Sequence, residues 1–413
     1  MQLTDTEQLM LEGAQGRATQ KAMQILSALG TIYGAERLIP ITSVQVAGVS
    51  FDNLGEAGLE FLSEMADGGG RVRLLTTLNP AGMDIENQAA LGIGDDFALN
   101  QRRVIEAFAR MGVITTCSCT PYLAGNVPHY GEHLAWSESS AVCYANSVLG
   151  ARSNREGGPS ALAAALTGLT PCYGYHLDEV RRPGLTVEVQ ARLEGTIDFG
   201  ALGKAIGERL EAAKVKPVPY ILGVGQASLE NLKSFCASLA TYGGAALFHM
   251  PGITPEAALH APPAESLRLT QADLDEAIAS MNDGAAAEAD FVSLGCPHLS
   301  IQEIARIASL LEGKRVTKEF WITTARPVKQ IADRMGYTRI IEAAGAKIAA
   351  DTCCVVAPIK GRFHTLVTDS AKACYYAYAK NKLKTVFLSF DEVVASAIQE
   401  RPHPLPPPLK GRG

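Results

Sequence analysis

No apolar run in this sequence approaches the ~20 residues that a bilayer-spanning helix needs, so nothing in it reads as a membrane anchor. It has no basic excess either. Thirty-seven Lys and Arg against 43 Asp and Glu leave a net charge of −6, whereas nucleic-acid binders usually present a basic face. There is no C-x2-C pair of the kind that marks zinc ribbons, and no internal repeat. The opening residues MQLTDTEQLMLEG carry acids and no apolar core, unlike a secretory leader, so the expected compartment is the cytoplasm. There the nine cysteines are expected as reduced thiols and not as a disulfide frame. With 47% hydrophobic and only 19% charged residues, wholesale disorder is excluded. A length of 413 residues suggests roughly two or three domains.

What is present is an alternation of strand-like and helix-like segments. Residues 4–29 read as a helix, with a capping-box pattern at Thr4 and Glu7 and a stop at Gly30. Strand patterns occupy 43–50, 71–78 and 112–117, with helical patterns at 54–66 and 98–111. Further strands are expected at 218–225, 244–252, 289–298, 318–327 and 346–358. Segment 254–287 is Ala-rich and acidic and reads as helices with a surface loop. The alternation predicts an α/β protein with parallel strands, whose functional loops gather at the strand C-termini.

Five constellations carry chemistry. TTCSCTPYLAGNVPHYGEHLAWSESSAV (115–142) holds the pair Cys117 and Cys119, and also Glu132 and His133, which are suited to acid–base work. Pro128 and Gly131 argue against a helix that would align His129 with His133 as metal ligands. LGARSNREGGPSALAAALTGLTP (149–171) has Pro159 at a helix start and Gly168 at its end. Arg152, Asn154 and Arg155 lead into that helix, where amide groups and guanidinium forks attract anions. LGCPH (294–298) and DTCCVV (351–356) each end a strand in thiols. Three thiolates from three strand ends suit an iron–sulfur cluster with one iron open, with zinc as the competing reading. In TDSAKACYYAYAKNK (368–382), Asp369 or Ser370 caps a helix and Lys372 sits near its start. A cation there opposes the helix dipole, so an anionic ligand is its natural partner. Cys143, Cys172, Cys236 and Cys374 have core-like contexts.

The long segment running from TCSCTPYLAG to ALAAALTG, then LGCPH, DTCCVV and TDSAKACYY, in that order, resembles the aconitase X family over about residues 3 to 398. The resemblance implies an aconitase-like α/β fold: three α/β domains with mostly parallel sheets around a central cleft, spanning 1–400. Residues 401–413 are then a Pro-rich disordered tail. It also implies a small swivel-domain subunit, carrying a catalytic serine, as partner. The metal ligands implied are Cys119, Cys296 and Cys353, with Cys117 and Cys354 as the neighbours that compete at two of the sites. The implied cofactor is a 2Fe–2S or 4Fe–4S cluster, or a single iron.

The activity implied is that of a hydro-lyase acting on a small hydroxy acid by Lewis-acid-assisted elimination. Arg152, Asn154, Arg155 and Lys372, with Ser139 and Ser140, are the expected substrate contacts. Glu132 and His133 are expected to protonate the leaving hydroxyl. Members of the family differ in substrate. The composition lacks the lysine and glutamate excess of hyperthermophile proteins, so the expected reaction is cis-3-hydroxy-L-proline to Δ1-pyrroline-2-carboxylate, with mevalonate 5-phosphate as the alternative. A non-enzymatic iron-responsive RNA-binding protein and a zinc hydrolase are the rivals from other classes.

Overall fold

A computed structural model of the chain describes residues 1–212 and 217–398; the tail expected at 401–413 lies outside the described residues. Three parallel sheets organise it. The first runs in the order Leu75–Leu78, Ser43–Val46, Leu134–Trp136. The second is Val218–Leu222, Pro183–Val189, Ser266–Leu269. The third has five strands in the order Lys347–Ala350, Glu319–Thr324, Phe291–Leu299, Thr365–Thr368, Lys384–Phe387. One short antiparallel pair, Leu38–Pro40 with Leu169–Pro171, stands beside them. The expected α/β class with mostly parallel sheets is what the chain adopts.

Local sequence explains the elements. In helix Ile301–Leu311, Ser300 and Glu303 cap each other's backbone, and Ile304, Ile307, Ala308 and Leu311 fall on the buried face. Helix Gly158–Thr167 is apolar all round because it is buried all round, and Gly168 ends it in the left-handed region at φ 78°. Strands of the third sheet, covered on both faces, read as continuous hydrophobic runs: Phe291–Leu299 is buried along its whole length.

Three sequence expectations need correction. The helix expected over 4–29 is two, Asp5–Leu11 and Arg17–Ile32, because Gly13 and Gly16 both take positive φ between them. The second of these runs through Gly30, which packs inside it. The strand expected at 112–117 shrinks to one rung, Ile114 opposite Thr77, since Cys117 turns to φ 44°. The strand expected at 244–252 is likewise a single rung, His249 beside Tyr220.

The first and third sheets present their C-terminal ends to each other. Ala81 N–H donates to Asp351 O at 2.7 Å, and Ala350 N–H donates to the Asp84 carboxylate at 2.9 Å. Arg326 bridges the same seam, pairing with Asp84 at 2.6 Å, with Glu86 at 2.9 Å and with Asp351. Functional side chains borne on those strand ends therefore converge, as the topology of parallel sheets requires.

Candidate metal centre

Three thiol-bearing loops meet at this seam, and one imidazole ties them together. His298 Nε2 lies 2.9 Å from the carbonyl of Thr352, the residue before Cys353. A carbonyl only accepts, so Nε2 carries the proton and Nδ1 accepts from Ser118 Oγ at 3.1 Å, one residue before Cys119. The His298 backbone N–H points to Cys119 Sγ at 3.2 Å, and its carbonyl accepts from buried Lys233 at 2.9 Å. Burial holds the His298 pKa down to about 4, which keeps the ring neutral and this pattern of donors fixed.

Cys296 reaches the seam through an irregular strand. Gly295 has φ 116°, the Cys296–Pro297 bond is cis, and the pairing with Glu319–Thr324 shifts register at this point. A Cβ on Gly295 would lie 2.2 Å from the carbonyl oxygen of Thr323. Gly295→Ala is therefore expected to destabilise the chain by about 1–3 kcal/mol, the range for backbone strain in sparsely allowed regions. Urea unfolding measures this, and an unchanged midpoint would refute the account of this bulge.

The three thiols share one electrostatic environment. Burial pushes Cys119 up to about 12; the Glu138 and Cys353 charges add to the rise, while Lys372 and the His298 N–H oppose it. Burial likewise raises Cys296, with Cys353 adding and Lys372 opposing. Cys353 is raised by burial and drawn back by the Val355 and Val356 amides and by Lys372. The neighbouring thiols sit differently. Cys117 packs into the apolar core around the first sheet. Cys354 packs with Met83, Trp321 and Ile359 and is pushed up to about 12 by burial. Cys119 and Cys353 belong to no apolar cluster among the described residues.

Beside the thiols lies a buried ion pair. Glu138 follows strand Leu134–Trp136 and caps helix Ser139–Ser147, accepting from Ser140 N at 3.4 Å and Ser140 Oγ at 3.1 Å. Lys372 stands in the first turn of Ala371–Tyr376, a helix capped by Ser370. Its ammonium donates to Glu138 Oε1, and Asn79 Nδ2 donates to Glu138 Oε2 at 2.7 Å. Burial opposes both charges, but Lys372, Asn79 and the Ser140 N–H together hold Glu138 below the ordinary carboxylate value, and Glu138 with Cys296 and Cys119 holds Lys372 above the ordinary lysine value. Asn79 Oδ1 and Thr352 Oγ1, both buried, have no partner among the described residues. Orphaned polar atoms at such a place are natural contacts for a ligand or ordered water.

Cys296 also lines a small recess with Lys233, Glu303 and Asp369. Thr196, Glu230 and Glu303 are common to this recess and to a cleft of about 630 Å³ that opens between the second and third sheets. Asp369, expected as a possible cap, instead accepts from Thr196 Oγ1 at 3.2 Å, and burial raises its pKa to about 7.

The other residues singled out from the sequence divide into two groups. Ser140 touches Glu138, and Ser139, half-buried, opens the same helix. Glu132, His133, Arg152, Asn154 and Arg155 are not brought to the thiols. Glu132 closes a turn, accepting from His129 N at 2.8 Å. His133 Nδ1 meets His176 Nδ1 at 2.9 Å. Arg152 pairs with Asp178 at 2.5 Å. Asn154 spends both ends of its amide on the Tyr173–Tyr175 backbone, at 3.0 and 2.9 Å. Arg155 is exposed and donates to Gly244 O at 3.0 Å. In this structure Arg152, Asn154 and Arg155 are held by Asp178, by the Tyr173–Tyr175 backbone and by Gly244, and each guanidinium keeps further N–H donors. Glu138, Asn79 and His298 were not assigned from sequence. Asn79 and Glu138 follow strand ends, and His298 lies two residues after Cys296 within strand Phe291–Leu299.

Comparison with known proteins places the chain in a family and a fold. Family profiles described as the first, second and third domains of aconitase X match residues 1–179, 183–279 and 289–399. The phosphomevalonate dehydratase large subunit of Methanothermobacter thermautotrophicus is 46% identical over 392 residues, covering 93% of this chain and 96% of that protein. The cis-3-hydroxy-L-proline dehydratase of Hypocrea jecorina is 34% identical over 393 residues, 91% of this chain but 65% of that protein. The crystal structure of Thermococcus kodakaraensis aconitase X in its holo-form superposes with a TM-score of 0.90 at 43% identity, covering 96% of this chain and 100% of that one.

Proposed function

Because the chain belongs to the aconitase X family and is therefore a hydro-lyase, we propose that it is the large subunit of a dehydratase acting on mevalonate 5-phosphate. The observation that carries the substrate is coverage combined with identity. The relatives named as phosphomevalonate dehydratase large subunits reach 46% over nearly their whole length. Those named for cis-3-hydroxy-L-proline reach 34% and 33%, over 65% of theirs. The expectation of hydroxyproline gives way accordingly. It rested on the absence of a lysine and glutamate excess, and that composition bears on working temperature, not on the substrate pocket. Dehydratase relatives matching over 90% or more of this chain also displace the RNA-binding and zinc-hydrolase readings.

Cys119, Cys296 and Cys353 are the residues that would hold an iron centre, whether a 2Fe–2S cluster, a 4Fe–4S cluster or a single iron. The fit rests on three buried thiols on three loops locked by His298, with two of them outside any apolar cluster. When bound, iron supplies a Lewis acid for the departing hydroxyl oxygen.

The chain's own groups do the rest. Lys372, held protonated, offers its ammonium to the substrate's carboxylate or phosphate. Asn79 Oδ1 is free to accept from a substrate hydroxyl. Lys372, Asn79 and the Ser140 N–H keep Glu138 ionised, and its lowered pKa makes it a weak base. The relatives' designation as large subunits supports a small partner subunit, whose serine would take the carbon-bound proton.

The test is turnover by the chain co-purified with its small subunit. Dehydration of mevalonate 5-phosphate is expected, with none of cis-3-hydroxy-L-proline and none by the chain alone. Turnover of hydroxyproline only would overturn the substrate. Full activity without a partner would overturn the division of labour.

A further inference from the structure

The segment HMPGITPEAALH, residues 249–260, brings three ligating side chains together far from the thiol loops in sequence and in bonding. His249, Glu256 and His260 each offer a ligand atom, and all these atoms lie within 4.8 Å of one another. The backbone holds the first of them rigidly. His249 is a rung on the edge of the second sheet, donating from N to Pro219 O at 2.9 Å and accepting from Ile221 N at 2.7 Å. Thr254 closes the turn back onto Met250, and the short helix Pro255–Leu259 then delivers Glu256 and His260.

The state of His249 is the decisive observation. Its ring is fully buried, and Nε2 sits 2.8 Å from the carbonyl oxygen of Arg181. Nε2 must therefore be the protonated nitrogen, and Nδ1 carries a lone pair. That Nδ1 has no hydrogen-bond partner among the described residues. An imidazole oriented by a carbonyl at one nitrogen and bare at the other is how protein metal ligands are prepared. Glu256 is held in the same manner. Arg181 Nε donates to Oε1 at 3.1 Å and to Oε2 at 2.9 Å. A carboxylate has about four acceptor positions, so it retains capacity on the side away from the guanidinium. His260, half-buried, has its ring 4.7 Å from that of His249 and gives an ion a path from solvent.

We propose that His249, Glu256 and His260 form a second metal site, separate from the thiol centre, for a divalent transition ion of the zinc class. Two imidazoles and one carboxylate suit such an ion, whereas calcium and magnesium demand shells of oxygen. Three protein ligands leave the fourth position to water. The Arg181 charge lowers the affinity for a cation, but its hydrogen bonds also hold the Glu256 carboxylate in place. The bound ion ties the 249–260 turn to the sheet edge.

The experiment compares zinc stoichiometry in the full-length chain and in His260→Ala, a change at the half-exposed ligand that leaves the buried core intact. Equilibrium dialysis against Zn²⁺ should show the unaltered chain binding one equivalent more than the variant. Affinity at this site should fall by more than the roughly 10–100-fold that second-shell partners carry. Cobalt(II) reports the ligand type: the extra equivalent should show d–d bands without thiolate charge transfer, and it should persist in Cys296→Ser. Equal stoichiometry in the two proteins, or thiolate bands on every cobalt bound, would overturn the proposal.

Discussion

Cys296→Ser is expected to lose iron and dehydratase activity together, with turnover falling on the order of a thousandfold or more. The magnitude follows from removing a Lewis acid that contributes several kcal/mol to the transition state, at about 1.4 kcal/mol per tenfold. The thiol is buried and shares its surroundings with Cys119, Cys353 and Lys372. An ion bound there compensates the burial that pushes all three thiols up, because it stabilises the thiolate form. Serine fills the space without supplying a thiolate. Cys119→Ser and Cys353→Ser should behave alike. Cys117→Ala should keep both iron and turnover, since that side chain packs into the core around the first sheet, and so should Cys354→Ala, whose thiol shares an apolar cluster with Cys296 but bonds to Ser293. Metal analysis and steady-state assays on the same anaerobic preparations decide it. Loss of iron in Cys354→Ala with retention in Cys353→Ser would move the ligand by one residue.

The second large effect belongs to the Lys372–Glu138 pair. Lys372→Met is expected to abolish detectable turnover and to cost about 3–5 kcal/mol of stability, because it strands a buried carboxylate. Lys372→Met with Glu138→Gln should regain most of the stability and none of the activity, which separates a packing role from a catalytic one. The sign of the pH dependence is fixed by the two shifts. Glu138 is depressed below 4.5, so its contribution is present above that value and is lost as pH falls through the folded pKa. Lys372 is raised above 10.5, so its contribution is full below that value and is lost as pH rises through the folded pKa. Between those limits the pair stands at full strength, and the single variant should lie below the unaltered chain by a constant amount. Restored activity in the double variant would remove Lys372 from the substrate site.

Much of this molecule was legible in its sequence. Alternating apolar segments, capping residues such as Thr4, Ser300 and Ser370, and the turn at Gly168 specify α/β units with parallel strands, because these signals act within a few residues. The thiol motifs were equally local, since Gly, Pro, Thr and Asp beside the cysteines announce breaks in regular structure; Cys296 nevertheless stays within strand Phe291–Leu299, and the strand expected before Cys117 is a single rung. What the sequence could not settle was direction. RSNREGG reads as an anion cradle, but that Arg152 meets Asp178, Asn154 the Tyr173–Tyr175 backbone and Arg155 Gly244 is not written in it. Glu138 meets Lys372 across 234 residues, and Ser118 meets His298 across 180. No periodicity or spacing encodes such pairs. They exist because two parallel sheets turn their C-terminal ends toward one seam, and at that seam a buried charge or donor must find a partner. The chain itself determined its fold class and the chemistry of its thiols. The tertiary structure alone decided which polar groups stand beside them, since desolvation makes a partner obligatory only once packing has chosen what is near.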